Sequence, residues 1–272
     1  MRQNNMKYAV KCGQIPGRKE DCLICEDGKI LSIGIFSEMT EQLNGIEIKR
    51  LDNYTIMPGF IDSHIHGSVG IDVGTCDLEG LLKMAENLAL HGVTSFLPTI
   101  PAAHPEQNRA ALSVIQQGMA VTASDGRYAR VLGCHMEGPF MMEKCKGALD
   151  ASAFCDANTD NWEALVGPYE SVVKRITMDP LRPGVLSFIP YLTARGITVS
   201  LGHTDADAET MDKAFAAGAV SVTHLFNAMS GLHHRKPGAV GAALASDDCY
   251  CELILDFLHA VSYTHLDVYK RQ

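Results

Sequence analysis

From residue 55 onward, short apolar runs and longer runs of helical periodicity take turns along the chain, and few folds accommodate that order. The apolar runs are residues 55–61, 94–97, 131–136, 173–178, 198–201, 220–223 and 252–255. Helical patterning fills residues 77–91, 105–123, 162–169, 184–195 and 205–217 between them. In the first of these, Leu78, Leu81, Leu82, Ala85, Leu88 and Ala89 form one stripe, Asp77 can cap the start and Gly92 can stop the end. Strands this short and this apolar are buried on both faces, which is what helices provide in a parallel sheet. The expected fold class is therefore α/β: a (β/α)8 TIM-type barrel, with about seven of its eight strands present.

Residues 10–12, 21–26, 29–33 and 47–51 read as short strands ahead of it, with Asp27-Gly28 suited to a tight hairpin turn and a helical stretch at 36–43. The expected organisation is a small, sandwich-like β subdomain over 1–54 and a barrel over 55–261. A tail of non-native appearance follows over 262–272. Cys22 and Cys25 have C-x-x-C spacing, but in a strand they point to opposite faces, and no second pair stands at zinc-ribbon spacing.

Active sites of such barrels lie at the C-terminal ends of the strands. His64 and His66 follow the first strand, Glu137 the third, His203 the fifth, His224 the sixth and His259 the seventh. These are metal-ligand types brought to one rim. H-x-H on extended chain puts both rings on one face. His203 and His224 each end a strand buried on both sides, where an imidazole needs a partner. His135 shares the strand face of Glu137 and suits packing or a supporting role. His91 and His104 sit on helical segments and read as surface residues.

Composition narrows the function classes. The formal net charge is −9 and the pI about 5.6, so no basic face is available for phosphate backbones, and a nucleic-acid partner is not expected. No apolar run approaches the roughly 20 residues of a bilayer span. The first ten residues lack the apolar core of a secretory leader. Nine scattered cysteines fit a reducing cytoplasm better than a disulfide scaffold.

The run from Pro58 to Gly67 resembles the first-strand signature of the amidohydrolase superfamily. The runs 135–140, 146–148, 200–204, 223–229 and 233–238 resemble the N-acetylglucosamine-6-phosphate deacetylase family within it. That resemblance implies metal-dependent hydrolysis of an N-acetyl group in amino-sugar catabolism, giving glucosamine 6-phosphate and acetate. It implies that Glu137, His203 and His224 hold a divalent metal, zinc, iron or similar. His64 and His66 complete a second position, so one or two ions bind per subunit. Asn227, the backbone of Ala228, and Arg235 would bind the 6-phosphate. Ala148 would touch the sugar, and His259 would polarise the acetyl carbonyl. The expected partner is a small-molecule sugar phosphate, and the full-length form is expected to be a homo-oligomer, a dimer or tetramer.

Three departures stand out. The resemblance implies an Asp ending an eighth strand as general acid/base, and no strand is drawn for it, so little activity is expected of these 272 residues. Leu149 stands where a His is usual, and Phe257 where a Gly is usual. His265 falls in the tail and is excluded from the site. The alternatives are another amidohydrolase, such as a cyclic amidase or a deaminase, and a metal-binding fragment without chemistry. A bridging carboxylated Lys marks many of the former, and Glu137 at the matching strand end argues against it.

Overall fold

The computed structural model describes residues 7–260. Two units part between Gly59 and Phe60. The first is a four-stranded sheet of β1 (Lys7–Gln14), β2 (Cys22–Glu26), β3 (Lys29–Gly34) and β4 (Glu47–Thr55) in the order β3-β2-β1-β4. β1 pairs antiparallel with β2 and parallel with β4. Asp27 and Gly28 both have positive φ (52° and 74°), the conformation a two-residue hairpin turn demands. Strand alternation sends Cys22 and Ile24 into one apolar cluster, and Leu23 and Cys25 into another. The two cysteines therefore face opposite ways, as their spacing predicts.

The second unit begins with β5 (Phe60–Ile65) and a small ribbon, β6 (Gly67–Ser68) with β7 (Ile71–Asp72). Then follow α1 (Leu78–Leu90), β8 (Val93–Pro101), α2 (Pro105–Thr122), β9 (Arg130–Val131), β10 (Cys134–Glu137) and α3 (Thr159–Val166). The rest is β11 (Val173–Met178), α4 (Val185–Thr193), β12 (Thr198–Leu201), α5 (Ala208–Ala216), β13 (Ser221–Val222), α6 (Gly238–Ala245) and β14 (Tyr250–Cys251). Seven strands run β14-β13-β12-β11-β10-β8-β5, with β9 beside β8, and every pairing is parallel. The path curls: Ser63 of β5 donates a hydrogen bond to Glu252, one residue past β14. This is a curled parallel α/β sheet of seven strands, in keeping with the expected TIM-type barrel with about seven of its eight strands present.

Period-two alternation sorts the strands' side chains. Met136, Ile176, Val199 and Leu201 point out into the apolar layer under the helices, which also takes Phe96, Leu81, Leu112 and Trp162. Thr99, His135, Thr177, Ser200 and Thr223 are buried and bonded to one another, so they share the other, inner face. A polar inner face is unusual for a core and is tolerated because its groups are mutually satisfied.

Several elements differ from the sequence reading. The first barrel strand is Phe60–Ile65 rather than 55–61; Thr55 still pairs with Gln14 in the small sheet, and Pro58-Gly59 separates the two. Residues 36–43 hold only a 3-10 turn, Phe36–Glu38. The strand expected at 131–136 is broken at Gly133 (φ 149°) into β9 and β10. The seventh strand is Tyr250–Cys251, not 252–255. Helix α6 was not expected, because GAVGAALA is apolar on all sides and has no stripe to read; it is largely buried. The first residues of the expected leader-free start, the tail over 262–272 and His265 lie outside the described residues. Among the described residues, no helix is long and apolar enough to cross a membrane.

Candidate metal centre

Glu137 closes β10, and its carboxylate is almost fully buried. The peptide after it, Gly138–Pro139, is cis. Its Oε1 lies 3.2 Å from His203 Nε2 and 3.1 Å from His224 Nε2, and those two nitrogens are 3.1 Å apart. Its Oε2 lies 3.0 Å from His66 Nε2, which is 3.1 Å from His64 Nε2. One carboxylate thus faces two clusters, Glu137 with His203 and His224, and Glu137 with His64 and His66.

The donor chemistry fits a cation. His203 Nδ1 is 2.9 Å from the Cys145 carbonyl oxygen, which can only accept, so Nδ1 carries the proton. In the neutral ring, Nε2 then presents a lone pair to Glu137 and His224. Lone pairs and an anionic oxygen crowding one point call for positive charge between them. Donors around a tetrahedral zinc, at about 2.0–2.1 Å from it, stand about 3.3–3.4 Å apart, close to the spacing of this triad. His224 Nδ1 is buried and has no hydrogen-bond partner.

The electrostatics show the same demand for positive charge, laid here on the imidazoles themselves. Burial opposes ionisation of Glu137, but His203, His224 and His66 outweigh it and hold the carboxyl far below the usual range. Burial opposes charge on His203 and His66, and Glu137 overcomes it, raising both above an ordinary imidazole. His135 is pushed well below by burial and by His64 and Arg175. It bonds Thr177 Oγ1 at 2.7 Å, and its ring sits edge-on to His64 at 4.6 Å, so it braces the site from beneath.

Local backbone conformation aims two of these imidazoles. His203 and His224 have φ of 49° and 33°, in the left-handed region that non-glycine residues seldom enter. Each follows a strand that ends short, so the turn lifts the imidazole over the rim. Gly147 (φ 55°) brings the loop after β10 against His203; a Cβ there would stand 3.2 Å from His203 Cε1. Asp179 accepts from Thr204 Oγ1 at 2.6 Å and from the Met142 amide at 3.3 Å, tying that loop to the turn bearing His203.

His64, His66, Glu137, His203, His224 and His259 line one open cavity of about 1030 Å³. Ala148, Asn227 and Ala228 line it too, and so does Leu149. His259 is half-exposed, and its Nδ1 is 2.6 Å from Asp256, which leaves Nε2 available. Asp256 is held down at about 2, chiefly by the His259 backbone amide. Arg235 is not in this wall; it lies on an exposed turn closed by a His233–Lys236 bridge. His91 and His104 are exposed, as expected. Glu252 and Asp62 also line the cavity and were not foreseen. The signal for Glu252 was indirect: Arg175 lies buried within β11 and needs an acid beside it.

A family model described as the amidohydrolase family matches residues 55–245. N-acetylglucosamine-6-phosphate deacetylase of Vibrio furnissii is 40% identical over 216 residues, 79% of this chain and 53% of that protein. N-acetylgalactosamine-6-phosphate deacetylase of Escherichia coli O157:H7 is 34% identical over 214 residues, 79% of this chain and 56% of that one. The chain thus spans little more than half the length of these curated relatives. The crystal structure of N-acetylglucosamine-6-phosphate deacetylase from Pasteurella multocida superposes with a TM-score of 0.86 at 27% identity, over 98% of this chain and 69% of that one.

Proposed function

The chain belongs to the amidohydrolase family, and from that premise we propose that it carries the metal and substrate site of a deacetylase acting on N-acetylglucosamine 6-phosphate. The observation that carries this is the meeting of Glu137 Oε1 with the Nε2 atoms of His203 and His224 at 3.1–3.2 Å. Those three would hold zinc, iron or a similar divalent ion, and His64 and His66 with Glu137 a second. Bound there, the ion supplies a hydroxide-strength nucleophile near neutral pH and a counter-charge for the oxyanion.

The residues divide the remaining work. His259, its Nδ1 committed to Asp256, donates from Nε2–H when protonated and so polarises the acetyl carbonyl. The Ala148 backbone meets the sugar. Asn227 and the Ala228 backbone receive the 6-phosphate, with Arg235 brought to it from its turn; binding energy there positions the distant amide. Water is added across the C–N bond, giving acetate and glucosamine 6-phosphate. The leaving nitrogen needs a proton, and the Asp that the family resemblance implies for that step has no counterpart among the described residues. We read the protein as cytoplasmic on its nine scattered cysteines, which fit a reducing compartment. The full-length form is read as a homo-oligomer, a dimer or tetramer, on the resemblance alone.

The test is calorimetric binding to the Co2+-loaded chain. N-acetylglucosamine 6-phosphate is expected to bind at least about 10- to 100-fold tighter than N-acetylglucosamine, the worth of a single hydrogen bond to a charged group. Equal affinities would remove the phosphate from the proposal. Preference for N-acetylgalactosamine 6-phosphate would move the substrate to that epimer, in line with the second relative.

A further inference from the structure

Glu252 sits one residue past β14 with its side chain 18% exposed. Both strong donors near it use the same oxygen. Ser63 Oγ donates to Oε1 at 2.5 Å, and Arg175 Nη1 lies 2.7 Å from Oε1. Arg175 is buried in its turn, and its Nη2 donates to Ser200 Oγ at 2.8 Å and Ser221 Oγ at 3.2 Å. The carboxylate is therefore held from two sides. Its other oxygen, Oε2, is buried and has no hydrogen-bond partner. That oxygen stands 3.8 Å from His64 Nδ1.

The opposite edge of the same ring faces the candidate metal centre, with His64 Nε2 3.1 Å from His66 Nε2 and 3.5 Å from Glu137 Oε1. A neutral imidazole carries one proton, and the partner of one nitrogen decides which form the other takes. A buried anionic oxygen without another donor favours N–H on the nitrogen it faces. The lone pair then falls on Nε2, the edge that a cation needs.

We propose that Glu252 is a positioning residue that holds His64 in its Nδ1–H tautomer, with Ser63 and Arg175 fixing the carboxylate that does so. The inference deepens the proposed function, since it rests on His64 being a ligand of the second metal position. Carboxylate–imidazole–metal relays of this kind typically carry 10- to 100-fold in metal affinity. The competing account is that Glu252 only neutralises Arg175 and ties the first strand to the seventh. That account predicts loss of stability when the pair is broken and no preference in His64.

The experiment reads the tautomer directly. Imidazole 15N shifts of the 272-residue protein are recorded without metal, with His64 assigned by its loss in His64→Gln. Protonated Nδ1 and unprotonated Nε2 are expected in the wild type. The paired substitution Arg175→Met with Glu252→Met removes both charges and leaves neither orphaned, so it is the variant expected to fold. In it, His64 is expected to lose the Nδ1–H preference, and the His64/His66 position to bind Co2+ about 10- to 100-fold more weakly. The Glu137/His203/His224 position is expected to keep its affinity. Protonated Nε2 in the wild type, or an unchanged tautomer in the paired variant, would overturn the assignment. The wild-type spectrum decides even where the variant does not fold. A protein that takes up no Co2+ yet shows Nδ1–H on His64 sinks the metal reading and keeps the role of Glu252.

Discussion

Glu137 is the residue on which the charge balance of the centre turns. Four imidazoles approach its two oxygens within 3.0–3.5 Å, and it is the one acid among them. Glu137→Gln keeps the volume and one acceptor but removes the negative charge that both clusters share. Co2+ affinity should fall by more than the about 10- to 100-fold typical of an outer-shell change, as a titration followed by visible absorption would report. A variant binding as tightly as the wild type would mean that the histidines alone hold the ion. Glu137, His64, His66, His203 and His224 were all readable in the sequence, because each stands at or just past an apolar strand in a fold whose chemistry lies at strand ends. Glu252 was not, because its role follows from Ser63 and Arg175, which are 189 and 77 positions away in sequence and carry no local pattern.

At the scale of elements, stripes and caps were legible wherever one face is apolar and the other is not. Asp77 caps α1 by accepting from the Gly80 amide, and Gly92 (φ 82°) ends it, both as read. Helix α3 shows what packing adds. Trp162 is completely buried, meets Phe188 of α4 edge-on and donates from Nε1 to Glu170 at 2.6 Å. Trp162→Ala should cost about 3–5 kcal/mol, by loss of burial and by the cavity it leaves. Urea unfolding of the variant checks this; a midpoint within error of the wild type would show that α3 contributes little to the core. Helix α6 and the true bounds of β5 and β14 escaped because their signals are tertiary. An all-apolar helix has no period, and strand limits depend on which neighbour supplies hydrogen bonds.

At the scale of the molecule, the second unit brings the ends of seven parallel strands to one rim, where residues from five of them meet. The Glu137 carboxylate and the lone pairs of the neutral imidazoles around it offer a cation several donors at once. Metal should therefore stabilise the protein: at a free Co2+ concentration of 100 times Kd, the gain is about 2.7 kcal/mol. Thermal unfolding is expected to shift up with Co2+ and back with a chelator. An unmoved Tm in saturating Co2+ would show that the ion is not held by the folded state.

What the sequence determined by itself is the fold class and the roster of ligand-type side chains. Both follow from local regularities: period 3.6 against period 2, and polar residues placed just beyond apolar strands. What only the tertiary structure decided is the partnership among them. That one carboxylate serves two clusters, that the Cys145 carbonyl sets the tautomer of His203, and that Glu252 turns its unpartnered oxygen to His64 are facts of three-dimensional approach. The physical reason is that a hydrogen bond or a coordination site is made by atoms a few ångströms apart in space. Order along the chain constrains that separation only within an element, and the curl of the sheet decides it between them.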